Sequence, residues 1–318
     1  MDGLHELLHR QTSLAEAGRD GFFDISNGYC SPGFWTAFVA RARARHLHLA
    51  DLAIPDETLG YAKAIAIERA LDEADTYPHE RRHAGNNYSP LVLLESQEQT
   101  DAAVSEINSC IRGLFSEPKY REFSASMCEL VGDLLDNVWA HGKDTGFSMA
   151  QKWSNQHGGF LFEFAVADCG LGFLRELKRA GIRDIETHQE AIAWCIQKGN
   201  SSKKRVVDEW AQRLPTDMMG NPMAGIGRVV ESDNHHMGLG LAKLVEGVER
   251  FCGRLWLVSG DSMLCIQPNG SRSYETAPIP WQGVALACRF DSARVAGPQQ
   301  APTADEFETI LGELLRGS

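Results

Sequence analysis

Apolar residues recur along the chain with two periods, one typical of helices and one typical of short buried strands. Helical spacing predicts helices over residues 34–45, 58–73, 101–115, 123–140 and 241–251. Short apolar runs predict strands over residues 90–95, 159–167, 254–258 and 283–290. Helices and strands therefore alternate through most of the chain, and the expected fold class is α+β.

The lengths of the predicted elements and the turn residues between them divide the chain into three parts, with boundaries near residues 90 and 292. Residues 1–90 mix short helical patterns with turn signals and are expected to form a smaller α/β unit of unknown role. Residues 91–292 are expected to form a two-layer α/β sandwich, with helices on one face of a mixed sheet. Residues 293–318 contain Gly297-Pro298 and are expected to be a linker followed by a tail or short helix.

Composition and charge limit the classes of partner. Of the 318 residues, 43% are hydrophobic and 23% are charged, as in ordinary globular proteins. The net charge of −12 disfavours nonspecific binding to nucleic acid or to anionic membranes, because phosphate groups would be repelled. No apolar run of about 18 residues, the length of a membrane span, occurs. We expect neither a membrane nor a nucleic-acid partner.

The cysteines favour a reducing compartment. Eight are scattered without a CxxC pair, so neither a zinc framework nor a disulfide scaffold is indicated. The first residues lack the basic and apolar segments of a secretory leader. These observations predict a cytoplasmic protein.

The first segment with chemical potential lies on the predicted helix 123–140 and just beyond it. Glu129, Asp133, Asn137 and His141 follow one another at intervals of four residues and therefore share one polar stripe. A solvated helix face would give the same stripe. The side-chain oxygen of Asn137 is nevertheless suited to Mg²⁺, and Asp133 lies one turn away, where it can orient or deprotonate water.

Two further segments are rich in glycine. The apolar run that begins at Phe160 ends in Asp168, Gly170 and Gly172, so a strand delivers a carboxylate that can accept a hydrogen bond from an amine such as that of adenine. Later, Gly238-Leu239-Gly240 precedes a helix, and the amide groups at a helix start favour phosphate. Each segment alone is also compatible with an ordinary turn before a helix.

In order and spacing, these three segments resemble the N-box, G1-box and G2-box of the GHKL ATPase superfamily, which has the Bergerat fold. That superfamily includes the ATP-binding domains of DNA gyrase, heat-shock chaperones, histidine kinases and anti-sigma factors. The resemblance covers about residues 90–292. It implies that ATP and Mg²⁺ are the cofactors, with Mg²⁺ at Asn137, adenine at Asp168, Gly170 and Gly172, and phosphates at Gly238, Leu239 and Gly240.

Between the second and third segments, Ser201, Ser202, Lys203 and Lys204 resemble the phosphate-side lid of stand-alone bacterial members. Hydroxyl and ammonium groups are suited to cover a triphosphate, although a solvated basic loop would have the same composition. His141 is counted with these nucleotide-binding residues because it continues the polar stripe.

One position departs from the family pattern and leaves the activity open. Hydrolytic members usually carry glutamate four residues before the asparagine, whereas this chain has Asp133, and Glu129 is the alternative base. The expected function is an ATPase whose nucleotide state switches the N-terminal unit or a partner. The alternative is a protein kinase or a non-hydrolysing switch of the histidine-kinase or anti-sigma type. The expected partner is another protein or a second copy of the chain.

Overall fold

The computed structural model describes residues 3–15, 29–138, 145–155, 158–200 and 240–296. In these ranges the helices are α1 Leu4–Ala15, α2 Pro32–Ala44, α3 Asp56–Ala64, α4 Ile67–Asp72, α5 Gln97–Leu114, α6 Arg121–Asn137, α7 Gly172–Arg179, α8 His188–Cys195, α9 Gly240–Arg250 and α10 Ser292–Val295. The strands are β1 Val92–Leu94, β2 Gly146–Ser154, β3 Phe160–Asp168, β4 Arg254–Ile266 and β5 Arg272–Asp291.

The strands form one five-stranded sheet in the order β1-β2-β3-β5-β4. The predicted α+β sandwich is confirmed. The sheet differs from the mixed one that was expected, because all four strand pairings among the described residues are antiparallel. Two of the pairings, β2 with β3 and β4 with β5, join strands that are linked by short hairpin loops, and such connections impose antiparallel pairing.

Helices cover both faces of this sheet rather than one. On the first face, α5, α6 and α9 pack against strand residues that include Phe162, Phe164 and Val166. On the second face, α1 and α2 pack against small strand residues that include Ala165 and Ala167. The alternation along β3 explains this arrangement, because both sets of side chains are apolar and each face must be buried.

The described part of residues 3–90 supplies the helices of the second face. A buried carboxylate fastens α2 there: Glu163 Oε1, on β3, accepts hydrogen bonds from Ser31 Oγ at 2.6 Å and from Gly33 N at 2.8 Å. Its Oε2 accepts from Arg289 of β5, with Nη2 at 2.6 Å. The side chain of Glu163 is 0% exposed. The start of α2 is therefore held on the sheet by charge-assisted hydrogen bonds.

Two observations bear on the expected compartment. None of the eight cysteines is joined in a disulfide. Among the described residues, no helix has both the length and the apolar character that crossing a membrane requires.

Candidate functional site

Helix α6 carries the first group of predicted site residues. Its apolar side faces the sheet through Val131 and Leu135, and its last residue is Asn137. Asp133 is buried, with a side chain only 4% exposed, whereas the side chain of Glu129 is 65% exposed. Burying a charged carboxylate costs free energy unless a partner of opposite charge or a hydrogen-bond donor lies beside it. Asp133 therefore needs such a partner, whereas Glu129 can be hydrated.

The partner that neutralises the buried charge of Asp133 is Lys243 on α9. Its ammonium lies 2.9 Å from Asp133 Oδ2 and 2.6 Å from Glu129 Oε1. Hydrogen bonds to the carboxylates, the one to Glu129 having the larger effect and the one to Asp133 the next, raise the pKa of Lys243 above its usual range. Lys243 therefore joins the first turn of α9 to the polar stripe of α6. Sequence reasoning missed this residue, although its position three residues after Gly240 is a signal that could have found it.

The second predicted segment is the turn after β3. Asp168 is the last residue of the strand and is buried. Its Oδ1 accepts a hydrogen bond from Gly170 N at 2.8 Å, which orients the carboxylate, and its carbonyl oxygen accepts one from Trp281 Nε1 at 3.0 Å. Because side chains alternate along a strand, Asp168 belongs to the same face as Phe162 and Phe164, the face that α6 and α9 cover.

Glycines bring the backbone of β5 against this turn. Gly172, with φ of 70°, and Gly283, with φ of 89°, both adopt the left-handed conformation that favours glycine. A Cβ atom at Gly283 would collide with the Asp168 carbonyl oxygen and would lie 2.6 Å from Asp168 Oδ1. Ser259 Oγ donates to Gly283 O at 2.8 Å and accepts from Phe173 N at 3.1 Å. Gly283, Ser259 and Trp281 support the turn and were not identified from the sequence.

Local packing brings the end of α6 beside Asp168. Gly146 of β2 is the direct partner of Asp168 in the sheet. A Cβ atom at Gly146 would collide with Val138 Cγ1, so the residue that follows Asn137 packs directly on this position. The end of α6 and the end of β3 thus meet at one end of the central strands, and Lys243 joins the start of α9 to the same helix α6.

The chemistry of these groups fits a Mg²⁺–nucleotide. Asp133 supplies a buried carboxylate that can orient a water molecule, and Asp168 supplies one, oriented by Gly170 N, that can accept a hydrogen bond from an amine. The ammonium of Lys243 can exchange its carboxylate partners for phosphate oxygens. Gly240 is the first residue of α9. The predicted site residues that lie outside the described ranges are His141, Ser201, Ser202, Lys203, Lys204, Gly238 and Leu239.

Gly283→Ala is expected to lower the free energy of unfolding by about 1–3 kcal/mol more than Gly270→Ala does. Gly270 also has a positive φ, 80°, but an added Cβ there meets nothing within 4 Å. Both substitutions place a side chain at a positive φ, so the difference reports mainly the collision with Asp168. Urea unfolding of the two variants measures it, and equal losses would contradict the close packing of this turn.

Comparison of the chain with protein-family models, with curated proteins and with solved structures found no match.

Proposed function

We propose that this chain is a Mg²⁺-dependent ATP-binding protein of the cytoplasm, with ATPase activity, whose nucleotide state switches its N-terminal unit or a protein partner. The observation that supports it most is that the end of α6 lies beside the Asp168 turn. Val138, which follows α6, packs on Gly146, and Gly146 is the sheet partner of Asp168. This geometry is what the resemblance to GHKL ATPases requires of the first two motifs. The eight free cysteines agree with a reducing compartment such as the cytoplasm.

In the proposed site each residue has one task. The Asp168 carboxylate, oriented by Gly170 N, accepts a hydrogen bond from the adenine amine. Asn137 holds Mg²⁺, and the Gly238–Gly240 segment and the basic residues Lys203 and Lys204 bind the phosphates. Asp133 orients the attacking water and accepts its proton.

The turn shares a buried core with the N-terminal helices, which supports the switching part of the proposal. Cys169 follows Asp168 directly and packs in the core of the second sheet face. It lines a cavity of about 630 Å³. Three other residues that line this cavity are Arg43 of α2, His46 just after that helix, and Leu71 of α4. A shift of Asp168 on nucleotide binding would therefore move a residue that shares this cavity with the N-terminal helices.

One observation supports the alternative of a switch that binds ATP without hydrolysing it. Lys243 pairs with both candidate bases, Asp133 and Glu129. The ammonium occupies Asp133 Oδ2 and Glu129 Oε1 as hydrogen-bond acceptors, so neither of these oxygens can accept a hydrogen bond from an attacking water while the contact is made. Hydrolysis in this site requires Lys243 to move toward the phosphates.

Asp168→Asn is expected to weaken Mg-ATP binding by roughly 10- to 100-fold, because a hydrogen bond to a charged group contributes about 1.5–3 kcal/mol. Asparagine keeps an oxygen for Gly170 N and therefore preserves the turn. Titration calorimetry measures the affinity, and Asn137→Ala is expected to lower it as well. Asp261→Asn, at an exposed position of β4, is the control and should bind like the parent protein. Unchanged affinity in both site variants would contradict the nucleotide site.

Incubation with Mg²⁺ and γ-labelled ATP separates the activities. Release of labelled phosphate without label on protein supports the ATPase. Transfer of label to this chain or to a partner supports the kinase alternative. Binding with neither outcome supports the non-hydrolysing switch.

A further inference from the structure

We propose that α1 and β5 form a second site, for a divalent transition metal such as Zn²⁺, with His5, His9 and Glu275 as its protein ligands. The site is separate from the nucleotide site, and none of the residues of the polar stripe or the Asp168 turn belongs to it. It would fasten the first helix of the chain to the sheet.

The three side chains come together through two simple geometric facts. His5 and His9 are four residues apart on α1 and therefore lie one above the other on the same side of the helix, with ring centroids 4.2 Å apart. Helix α1 packs across β5, which brings Glu275 Oε2 to 3.3 Å from His5 Nε2. One ligand atom from each of the three residues lies within 4.8 Å of the others. Donors at this separation can share one ion after small side-chain rotations.

The position of α1 is fixed well enough to hold such a site. Leu4, Leu7 and Leu8 are fully buried against the second face of the sheet. His5 and His9 occupy the neighbouring side of the helix, where His5 is partly exposed and His9 is exposed. A metal can therefore reach the donors from solvent without unfolding the helix.

The donor set indicates the class of metal. Two imidazoles and one carboxylate suit Zn²⁺ or Co²⁺ better than Mg²⁺ or Ca²⁺, which prefer oxygen ligands only. Three protein ligands leave one position of a tetrahedron for water or another small ligand. Each imidazole would bind the metal through one neutral ring nitrogen.

The test is calorimetric titration of the full chain with Zn²⁺, without nucleotide. We expect one equivalent to bind, with affinity reduced more than about 100-fold in His9→Gln, because loss of an orienting group alone costs about 10- to 100-fold. His9 is exposed, so the variant should fold normally. His79→Gln removes another exposed histidine and is the matched control, expected to bind like the parent.

A second measurement reports the ligands directly. Co²⁺ bound in place of Zn²⁺ should give the intense visible absorption of a tetrahedral ion, and Glu275→Gln should change that spectrum. Asp168→Asn should leave both zinc affinity and the cobalt spectrum unchanged, which separates this site from the nucleotide site. Absence of zinc binding by the parent protein, or equal binding by the parent and His9→Gln, would overturn the proposal.

Discussion

Glu163→Gln is expected to lower the free energy of unfolding by about 3–5 kcal/mol, the cost of breaking a buried ion pair from one side. The substitution keeps the volume of the side chain but leaves the Arg289 guanidinium without its carboxylate. Arg289, Ser31 Oγ and Gly33 N all donate hydrogen bonds to the carboxylate of Glu163. The N–H₂ group of a glutamine would place a donor against some of these donors and could not accept their hydrogen bonds. Urea unfolding measures the loss.

The matched control is Glu249→Gln. Glu249 pairs with Arg272 at the same distance as Glu163 with Arg289, 2.6 Å. The Glu249 side chain is 36% exposed, so its pair contributes only about 0–1 kcal/mol. Similar losses in the two variants would contradict a buried carboxylate that holds α2 on the sheet.

Several elements could be predicted from apolar spacing alone. The expected helix 101–115 corresponds to α5, and the expected strand 159–167 corresponds to β3. The expected helix 58–73 is divided into α3 and α4, because Ala66 adopts a left-handed conformation with φ of 67°. A one-residue change of backbone conformation leaves the apolar pattern intact, so the pattern does not reveal the break.

Strand β2 and the far half of the β4–β5 hairpin could not be predicted in the same way. The first six residues of β2 are buried on both faces of the sheet, and two of them, Ser148 and Gln151, are polar. The strand therefore lacks the alternation of apolar and polar positions that would have predicted it. The hairpin continues past the expected end at residue 258 through Ser262 and, on the returning strand, Thr276. Polar residues there resemble a loop until their cross-strand partners are known.

The candidate site divides along the same line. Asp133 and Asp168 could be predicted as candidates because each lies in a motif with local spacing. Lys243 and Gly283 were missed because their roles depend on contacts with residues more than one hundred positions away, Lys243 with Asp133 and Gly283 with Asp168. Local patterns record which residue types are present, whereas these pairings are set by the packing of α9 on α6 and of β5 beside β3.

The second large effect is expected at Asp133. If the protein hydrolyses ATP as proposed, Asp133→Asn should lower the turnover number roughly 10²- to 10⁴-fold, the usual contribution of a general base. Mg-ATP affinity should change little, because the substitution keeps the shape of the side chain and the proposed adenine contact is at Asp168. Single-turnover phosphate release and calorimetry measure the two quantities separately.

Glu129→Gln is the control that makes this result interpretable. Glu129 and Asp133 both accept hydrogen bonds from Lys243, at 2.6 Å and 2.9 Å, so each variant replaces one carboxylate partner of the same ammonium. Glu129 lies one turn farther from Asn137 and its side chain is mostly exposed, so its variant should retain most of the turnover. Equal losses in both variants would assign the effect to a displaced Lys243 rather than to proton transfer. A loss in Glu129→Gln alone would make Glu129 the base.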